Sequence, residues 1–410
     1  MNKYMISIII TLLYSTLSFA QTLDDYFKVA AENNPGLQAM YVEYEAALQK
    51  VSQVNTLNDP VLSFGYFISP VETRVGPQQA KFSLTQLFPW FGTLKAQGDA
   101  AALMAEAKFQ SFVDARNKLY FQVASAYYPI YELNDWIKIE QENISILKSY
   151  KTIATKNFEN GTGVMVDVLR ADIMLKDAQT DLIILSEKGK PLVTIFNKLL
   201  NRPENEHVVT ADSLTTENLK DNFRKDSLIA ENPILKSLDL KLQASKAEVV
   251  AAQKRGLPKF GVGLDYVMVG KRSDIIMSDN GKDVLMPMVS MTVPIFRGKY
   301  NASVKEAELM QKSYAFQKDE MTNMLISDYE MVWFDIQRQR QLLSLYEQQI
   351  ETSRHSLNLL IASYGNSGKE FEEVLRMQQQ LLKYQKLEAT ALTQYQIALA
   401  KINYLTSKTY

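Results

Sequence analysis

The chain has 410 residues, a formal net charge of −1 and no cysteine. The balanced charge argues against a nucleic-acid partner, because phosphate binding needs a clustered surplus of Lys and Arg. The lack of cysteine excludes disulfides, thiolate metal sites and cysteine nucleophiles, and we expect no lipid attached to a cysteine.

The first residues have the pattern of a signal peptide. Lys3 precedes an apolar run from Met5 to Leu13, and Ser18-Phe19-Ala20 fits a small-x-small cleavage site. We predict cleavage after Ala20, which removes residues 1–20. The alternative is a retained anchor helix, but the run is shorter than the about 20 apolar residues that a membrane helix needs, and no later segment reaches that length. A membrane-embedded part must therefore consist of strands.

The remaining chain repeats itself. Asn34-Pro35 recurs as Asn232-Pro233, and Val168-Leu169-Arg170 recurs as Val374-Leu375-Arg376, both at an offset of about 200 positions. Chance similarity does not keep order and spacing together, so the pattern predicts a duplication. We expect a first repeat at 21–200, a linker at 201–226 and a second repeat at 227–410, with one insertion around 270–286.

Each repeat contains the same predicted elements in the same order. A helix interrupted near its start by Asn-Pro is predicted at 23–57 and at 227–256. Strand hairpins follow at about 61–88 and about 259–294. The next stretches, 93–157 and 299–363, are rich in helix-forming residues and contain one proline, so they predict long helices. A glycine-containing break and a second long helix complete each helical hairpin, with tips at about 158–164 and about 364–369.

The predicted strands alternate between apolar and small polar side chains, so each has one apolar face. A soluble sheet with one face on a core shows the same alternation. Two features favour a membrane instead: the long helices are too long to fold back over a small sheet, and aromatic residues gather at the strand ends as in membrane-barrel girdles. The residues expected at the membrane interface are Tyr66, Phe88, Trp90, Phe91, Tyr266 and Phe296.

Four strands are too few to close a membrane barrel, which needs about eight. Three chains supply twelve strands, and strand edges cannot stay open in lipid. If the strands lie in a membrane, the chain is therefore expected to form a homotrimer. The long helices carry apolar residues at helical spacing, and this periodicity does not distinguish a coiled-coil bundle from a duct with a water-filled interior.

The order of these signals, run twice, resembles the TolC family of outer-membrane efflux proteins. The most specific part is the hairpin tip, which reads Phe158-Glu-Asn-Gly161 to Asp167-Val-Leu169 in the first repeat and Tyr364-Gly-Asn-Ser-Gly368 to Glu373-Val-Leu375 in the second. The stretch Gln86-Leu-Phe-Pro-Trp-Phe-Gly92 further resembles the heavy-metal-efflux branch.

This resemblance implies a mainly α-helical fold with a pair of membrane β-hairpins. Three chains would share a twelve-stranded barrel in outer-membrane lipid and a helical barrel in the periplasm. The implied function is a passive exit channel that works with a periplasmic adaptor, a membrane fusion protein, and an inner-membrane pump of RND or ABC type. The cargo stays open between metal ions, drugs, other small organic molecules and polypeptides.

The resemblance also assigns roles at the tips. Tyr364 and Lys369 match gate residues of the inner hairpin, Asp167 matches their partner, and Glu373 matches an acidic ring at the narrowest opening. Arg376 departs from the family pattern, and pairing with Glu373 would weaken that ring. Solvated surface ion pairs are the alternative for these charges. The glycines expected to contact the adaptor are also explained as helix terminators: Gly161, Gly163, Gly365 and Gly368.

No residue pattern indicates an enzyme, a cofactor or a metal site. His207 and His355 stand alone, without a nucleophile motif. The methionines of the second strand hairpin are thioethers that can bind Cu(I), although apolar filling of a lipid-facing strand is the commoner use. The remaining alternative function is a non-conducting periplasmic coiled-coil scaffold in which the strands form a soluble capping sheet.

Overall fold

The computed structural model describes residues 22–216, 229–274, 276–367 and 371–407. The signal-peptide prediction for residues 1–20 lies outside these ranges. The elements in chain order are α1 Leu23–Asn33, α2 Pro35–Val54, β1 Val61–Thr73, β2 Gly76–Phe88, α3 Thr93–Glu159, α4 Met165–Leu199, α5 Pro233–Arg255, β3 Lys259–Val269, β4 Val284–Thr292, α6 Gly298–Ser367 and α7 Phe371–Leu405.

The prediction of a mainly helical chain with four strands is confirmed. The strands form one antiparallel sheet in the order β1-β2-β3-β4. Among the described residues, the outer edges of β1 and β4 have no strand partner. None of the described helices combines the length and apolarity needed to cross a bilayer.

The described residues fall into two compact units. One is drawn from Met1–Ala39, Val113–Asn232 and Asn323–Tyr410, and the other from Met40–Phe112 and Pro233–Thr322. The first contains both helical hairpin tips, and the second contains the sheet.

The first unit contains two equivalent asparagine caps. Asn34, the residue between α1 and α2, donates from Nδ2 to the Leu199 carbonyl at 3.0 Å and accepts from the Leu37 amide at 3.1 Å. Asn232 is fully buried and donates from Nδ2 to the Leu405 carbonyl at 3.0 Å. Each asparagine therefore satisfies a carbonyl at the C-terminus of a long helix, where helices leave such groups unpaired. This contact is the physical reason for the recurring Asn-Pro pair.

Proline is tolerated inside two of the long helices. Pro129 lies within α3 and Pro191 lies within α4. Each costs its helix one backbone hydrogen bond, and the surrounding turns keep the element continuous. The first strand hairpin turns at Gly76. Its φ of +134° is a backbone conformation that residues other than glycine rarely adopt.

Candidate functional site: the hairpin tips and the faces of the sheet

The tip of the first helical hairpin is closed by backbone hydrogen bonds. After α3 ends at Glu159, the Thr162 and Gly163 amides donate to the Asn157 carbonyl at 2.9 and 3.0 Å. Gly161 has a φ of +75°, the left-handed conformation typical of the residue that follows a helix. The chain reverses direction here, and α4 begins at Met165. A side chain at position 161 would be strained although it would meet no neighbour.

The second tip differs from the prediction at Gly365. The expectation that Gly365 terminates the helix is wrong, because α6 continues through it to Ser367. Glycine in a helix costs about 1 kcal/mol relative to alanine. The preceding residue, Tyr364, is buried and packs on the Phe371 ring with centroids 4.7 Å apart, which favours keeping this turn helical. Gly368 and Lys369 lie outside the described residues.

An ion pair joins the two hairpins next to these tips. Arg170 on α4 lies 3.0 Å from a carboxylate oxygen of Glu372 on α7 and 3.9 Å from one of Asp167 on its own helix. Sequence reasoning selected Asp167 but missed Arg170 and Glu372. The repeat itself held a signal, since Arg170 occupies the position equivalent to Arg376.

Asp167 and Tyr364 are buried near this ion pair. Burial raises the pKa of the Asp167 carboxyl, while Arg170 opposes this effect and Glu372 adds to it. Burial also raises the pKa of Tyr364, with the Asn157 side chain opposing and the Asp167 charge adding. The structure thus places two of the predicted gate residues close enough to influence each other.

Glu373 and Arg376 form an ion pair within α7. Both side chains are exposed. The pairing anticipated from their spacing is therefore present, and it compensates the Glu373 charge without linking the two hairpins.

Beneath the tips, four helices pack a common apolar core. It contains Leu147 and Ala154 of α3, Ala171 of α4, Leu357 of α6 and Val374 of α7. The core residues of α3 recur every three to four positions, at Ile144, Leu147, Tyr150 and Ala154, as the buried face of a helix does.

A buried polar network adjoins this core. Glu140 on α3 has only 1% of its side chain exposed and forms an ion pair with Lys386 on α7. Its other oxygen accepts from Asn143 at 3.0 Å, and Asn143 in turn accepts from Gln378 at 3.1 Å. Trp136 donates from Nε1 to the Lys386 carbonyl at 3.2 Å. Sequence reasoning missed this network, which fixes α3 and α7 in register.

The sheet exposes its apolar face. The strand register places one set of apolar side chains on the same face across all four strands, and most of them are exposed to solvent in the single chain. An exposed apolar patch of this extent is typical of a surface covered by lipid or by a partner. The set comprises Leu62, Phe64, Tyr66, Phe82, Leu84, Phe88, Val262, Leu264, Tyr266, Met268, Leu285, Val289 and Met291.

The predicted interface aromatics form two groups along the strands. Phe88, Trp90, Phe91 and Phe296 lie where the strands meet the helices, and Phe91 and Phe296 are 80% and 85% exposed. Trp90 stacks on the neighbouring Phe260 with centroids 5.6 Å apart. Tyr66 lies near the middle of β1 and Tyr266 lies three residues before the end of β3, and both are exposed. The first group alone therefore forms a band at one end of the sheet, as one aromatic girdle does.

The opposite face of the sheet is polar and carries an ion pair. Ser83 is opposite Asp265 and Lys81 is opposite Val267, so Lys81 and Asp265 are diagonal neighbours on one face. They form an ion pair in which the Asp265 side chain is fully buried and Lys81 is partly exposed. Methionines 286 and 288 share this face with small residues, whereas Met268 and Met291 lie on the apolar face.

No group of three or more His, Cys, Asp or Glu residues within the described part of the chain has the geometry to hold a metal ion. The arrangement offers instead a charged contact between two helical hairpins and a sheet with one apolar and one polar face.

Comparison with known proteins identifies the fold independently. The family model described as outer membrane efflux protein matches residues 27–188 and 226–407. The outer membrane protein TolC of Salmonella enteritidis is 23% identical over 396 residues, which is 88% of this chain and 77% of that protein. Two solved structures share the fold. CusC has 15% identity and a TM-score of 0.76 over 94% of this chain and 91% of its own. The outer membrane protein VceC of Vibrio cholerae has 16% identity and a TM-score of 0.75 over 94% and 96%.

Proposed function

Because the chain belongs to the outer membrane efflux protein family, we propose that it is one subunit of a trimeric channel that conducts substrates passively out of the cell. In this proposal a periplasmic adaptor and an inner-membrane pump deliver the substrates, and the pump supplies the energy. The observation that carries the proposal is a four-stranded sheet with an exposed apolar face and two open edges.

The sheet supports membrane insertion and trimerisation together. Its strands contain 13, 13, 11 and 9 residues, and about 9 to 11 tilted residues suffice to cross a bilayer. An exposed row of unpaired backbone groups in lipid costs several kcal/mol per group. Pairing β4 of one subunit with β1 of the next removes both edges, continues the antiparallel order, and closes a ring of twelve strands with three chains.

The helices of the first unit offer a matching contact. On α4, Val166, Ile173, Ile184 and Ile195 are exposed, at spacings of about seven and eleven residues that keep one helix face in line. On α6, exposed apolar residues recur in multiples of about seven, at Met324, Met331, Leu345 and Leu359. We propose that the α4 stripe of one subunit packs on the α6 stripe of the next. Two different surfaces in head-to-tail contact generate a closed ring.

The tips serve as the periplasmic gate in this proposal. The Arg170–Glu372 ion pair holds the two hairpins of a subunit together, and Asp167 and Tyr364 are buried close to it. Lys369 and Glu373 are assigned to the same gate, and Arg376 reduces the negative charge that Glu373 brings to the axis. The first tip also exposes Phe158, Val164 and Met165, apolar side chains that support a docking role beside the glycines at 161, 163, 365 and 368.

The two halves of the duplicated chain make equivalent contributions to the proposed channel. Each half supplies two strands and one helical hairpin, in the order already visible in the sequence. The mature chain would begin at Gln21, with the strands in the outer membrane and the helices in the periplasm.

Membrane fractionation tests the proposal. The full-length protein, expressed from its own start codon, is expected in the outer-membrane fraction as a trimer that dissociates on heating. Deleting its gene is expected to sensitise cells to substrates of the cognate pump, and reintroducing the gene restores resistance. Recovery as a soluble periplasmic monomer contradicts the channel and favours the coiled-coil scaffold.

A further inference from the structure

The polar face of the sheet carries very little charge. The four strands contain four charged residues: Lys81 and Asp265, Lys259 at the first residue of β3, and Glu72 next to the last residue of β1. The register places Lys81 and Asp265 beside Ser63, Ser83 and Gly263, in the middle of this face. A single lysine there, repeated three times around a ring, would create a positive band inside a narrow barrel.

Asp265 removes that charge. Its side chain is fully buried, and its carboxylate contacts the Lys81 ammonium directly. Burying a carboxylate is costly unless it is paired and hydrogen-bonded. Lys81 provides this pairing, and two opposite charges in direct contact largely cancel each other's field at a distance.

From this geometry we infer that Asp265 is a fixed counter-ion that neutralises Lys81 on the water-facing wall of the strand barrel, so that this segment does not sort cargo by charge. The inference rests on the proposed function, because it needs the polar face to line water. Charge discrimination then falls to the helical tips, where Glu373 and Arg376 are exposed.

The absence of cysteine from the chain makes the wall directly testable. Ser63→Cys places a thiol on the polar face of β1, two strands from Asp265 and therefore about 10 Å away. Trimers carrying this thiol are treated with a negatively and a positively charged methanethiosulfonate reagent. The ratio of the two modification rates reports the local electrostatic potential, and Leu62→Cys on the apolar face is the matched control.

Asp265→Asn in the Ser63→Cys background is expected to raise the ratio of negative to positive reagent rates by about fourfold at low salt, as a unit charge about 10 Å away in water produces. The double variant Lys81→Gln/Asp265→Asn is expected to return the ratio to its starting value. Should the single variant not assemble, Lys81→Gln alone is expected to lower the ratio by a similar factor.

An unchanged ratio in these single variants overturns the inference, as does a double variant that keeps the shift. Failure of the proposed function gives a different result. In that case the Leu62→Cys control reacts as fast as Ser63→Cys, whatever residue occupies position 265.

Discussion

The ion pair between Arg170 and Glu372 contributes to the free energy that keeps the proposed gate closed. Arg170 is 42% exposed and Glu372 is 69% exposed, with 3.0 Å between the charged atoms. A pair exposed to this degree contributes about 0.5 kcal/mol. Three such pairs in a trimer contribute about 1.5 kcal/mol, which corresponds to about a tenfold change in an equilibrium constant.

Arg170→Ala is therefore expected to raise the open probability of single channels in planar bilayers by about tenfold. Raising the salt concentration is expected to open wild-type channels, because exposed charges are screened, and to have little effect on the variant. The double variant Arg170→Ala/Glu372→Ala is expected to behave as the single variant does.

Arg376→Ala is the matched control, because Arg376 occupies the equivalent repeat position but its partner Glu373 lies on the same helix. It is expected to leave the open probability unchanged and to shift selectivity toward cations by freeing Glu373. The gate account is refuted if Arg170→Ala leaves the open probability unchanged, or if Arg376→Ala raises it equally.

Three further predictions concern the scaffold around this gate. Lys386→Met leaves Glu140 buried and unpaired, so it is expected to destabilise the trimer by about 3–5 kcal/mol. The double variant Lys386→Met/Glu140→Gln removes the unpaired charge and is expected to lose much less stability. Chemical denaturation measures both variants, and equal losses of stability contradict the buried network. Gly161→Ala is expected to lower the stability by about 1 kcal/mol because φ is positive there, whereas Gly365→Ala is expected to raise it by a similar amount because Gly365 lies inside a helix. Thermal dissociation of the two variants tests this, and a Gly161→Ala variant more stable than Gly365→Ala contradicts the two backbone conformations. Burial raises the pKa of Asp167 above 3.8. The protonated carboxyl therefore stabilises the tip below that pH, and this stabilisation is lost as the pH rises through the raised pKa. Hydrogen exchange of the tip amides is expected to show this pH dependence in the wild type and not in Asp167→Asn.

Much of the fold was predictable because local and tertiary signals agree. The strand hairpins were expected at about 61–88 and about 259–294, and the strands span 61–88 and 259–292. Alternation with period two, glycine in the turns and runs of helix-forming residues are each signals that act over a few residues. The antiparallel four-stranded sheet required only that consecutive hairpins lie side by side.

The tips were harder to predict because their contacts join residues far apart in the chain. Arg170 and Glu372 meet only when α4 and α7 pack together, and nothing near either residue signals the other. The same holds for Glu140 and Lys386, whose local sequence looks like an ordinary solvated helix face. Gly365 failed as a terminator because the burial of Tyr364 outweighs the helix penalty of one glycine.

Liposome swelling with the purified trimer tests the central claim most directly. Vesicles containing the Arg170→Ala/Glu372→Ala trimer are expected to admit small hydrophilic solutes much faster than vesicles containing the wild-type trimer, whose gate is closed. Folded, membrane-inserted trimers that admit no solute, with the ion pair present or removed, would contradict a conducting channel.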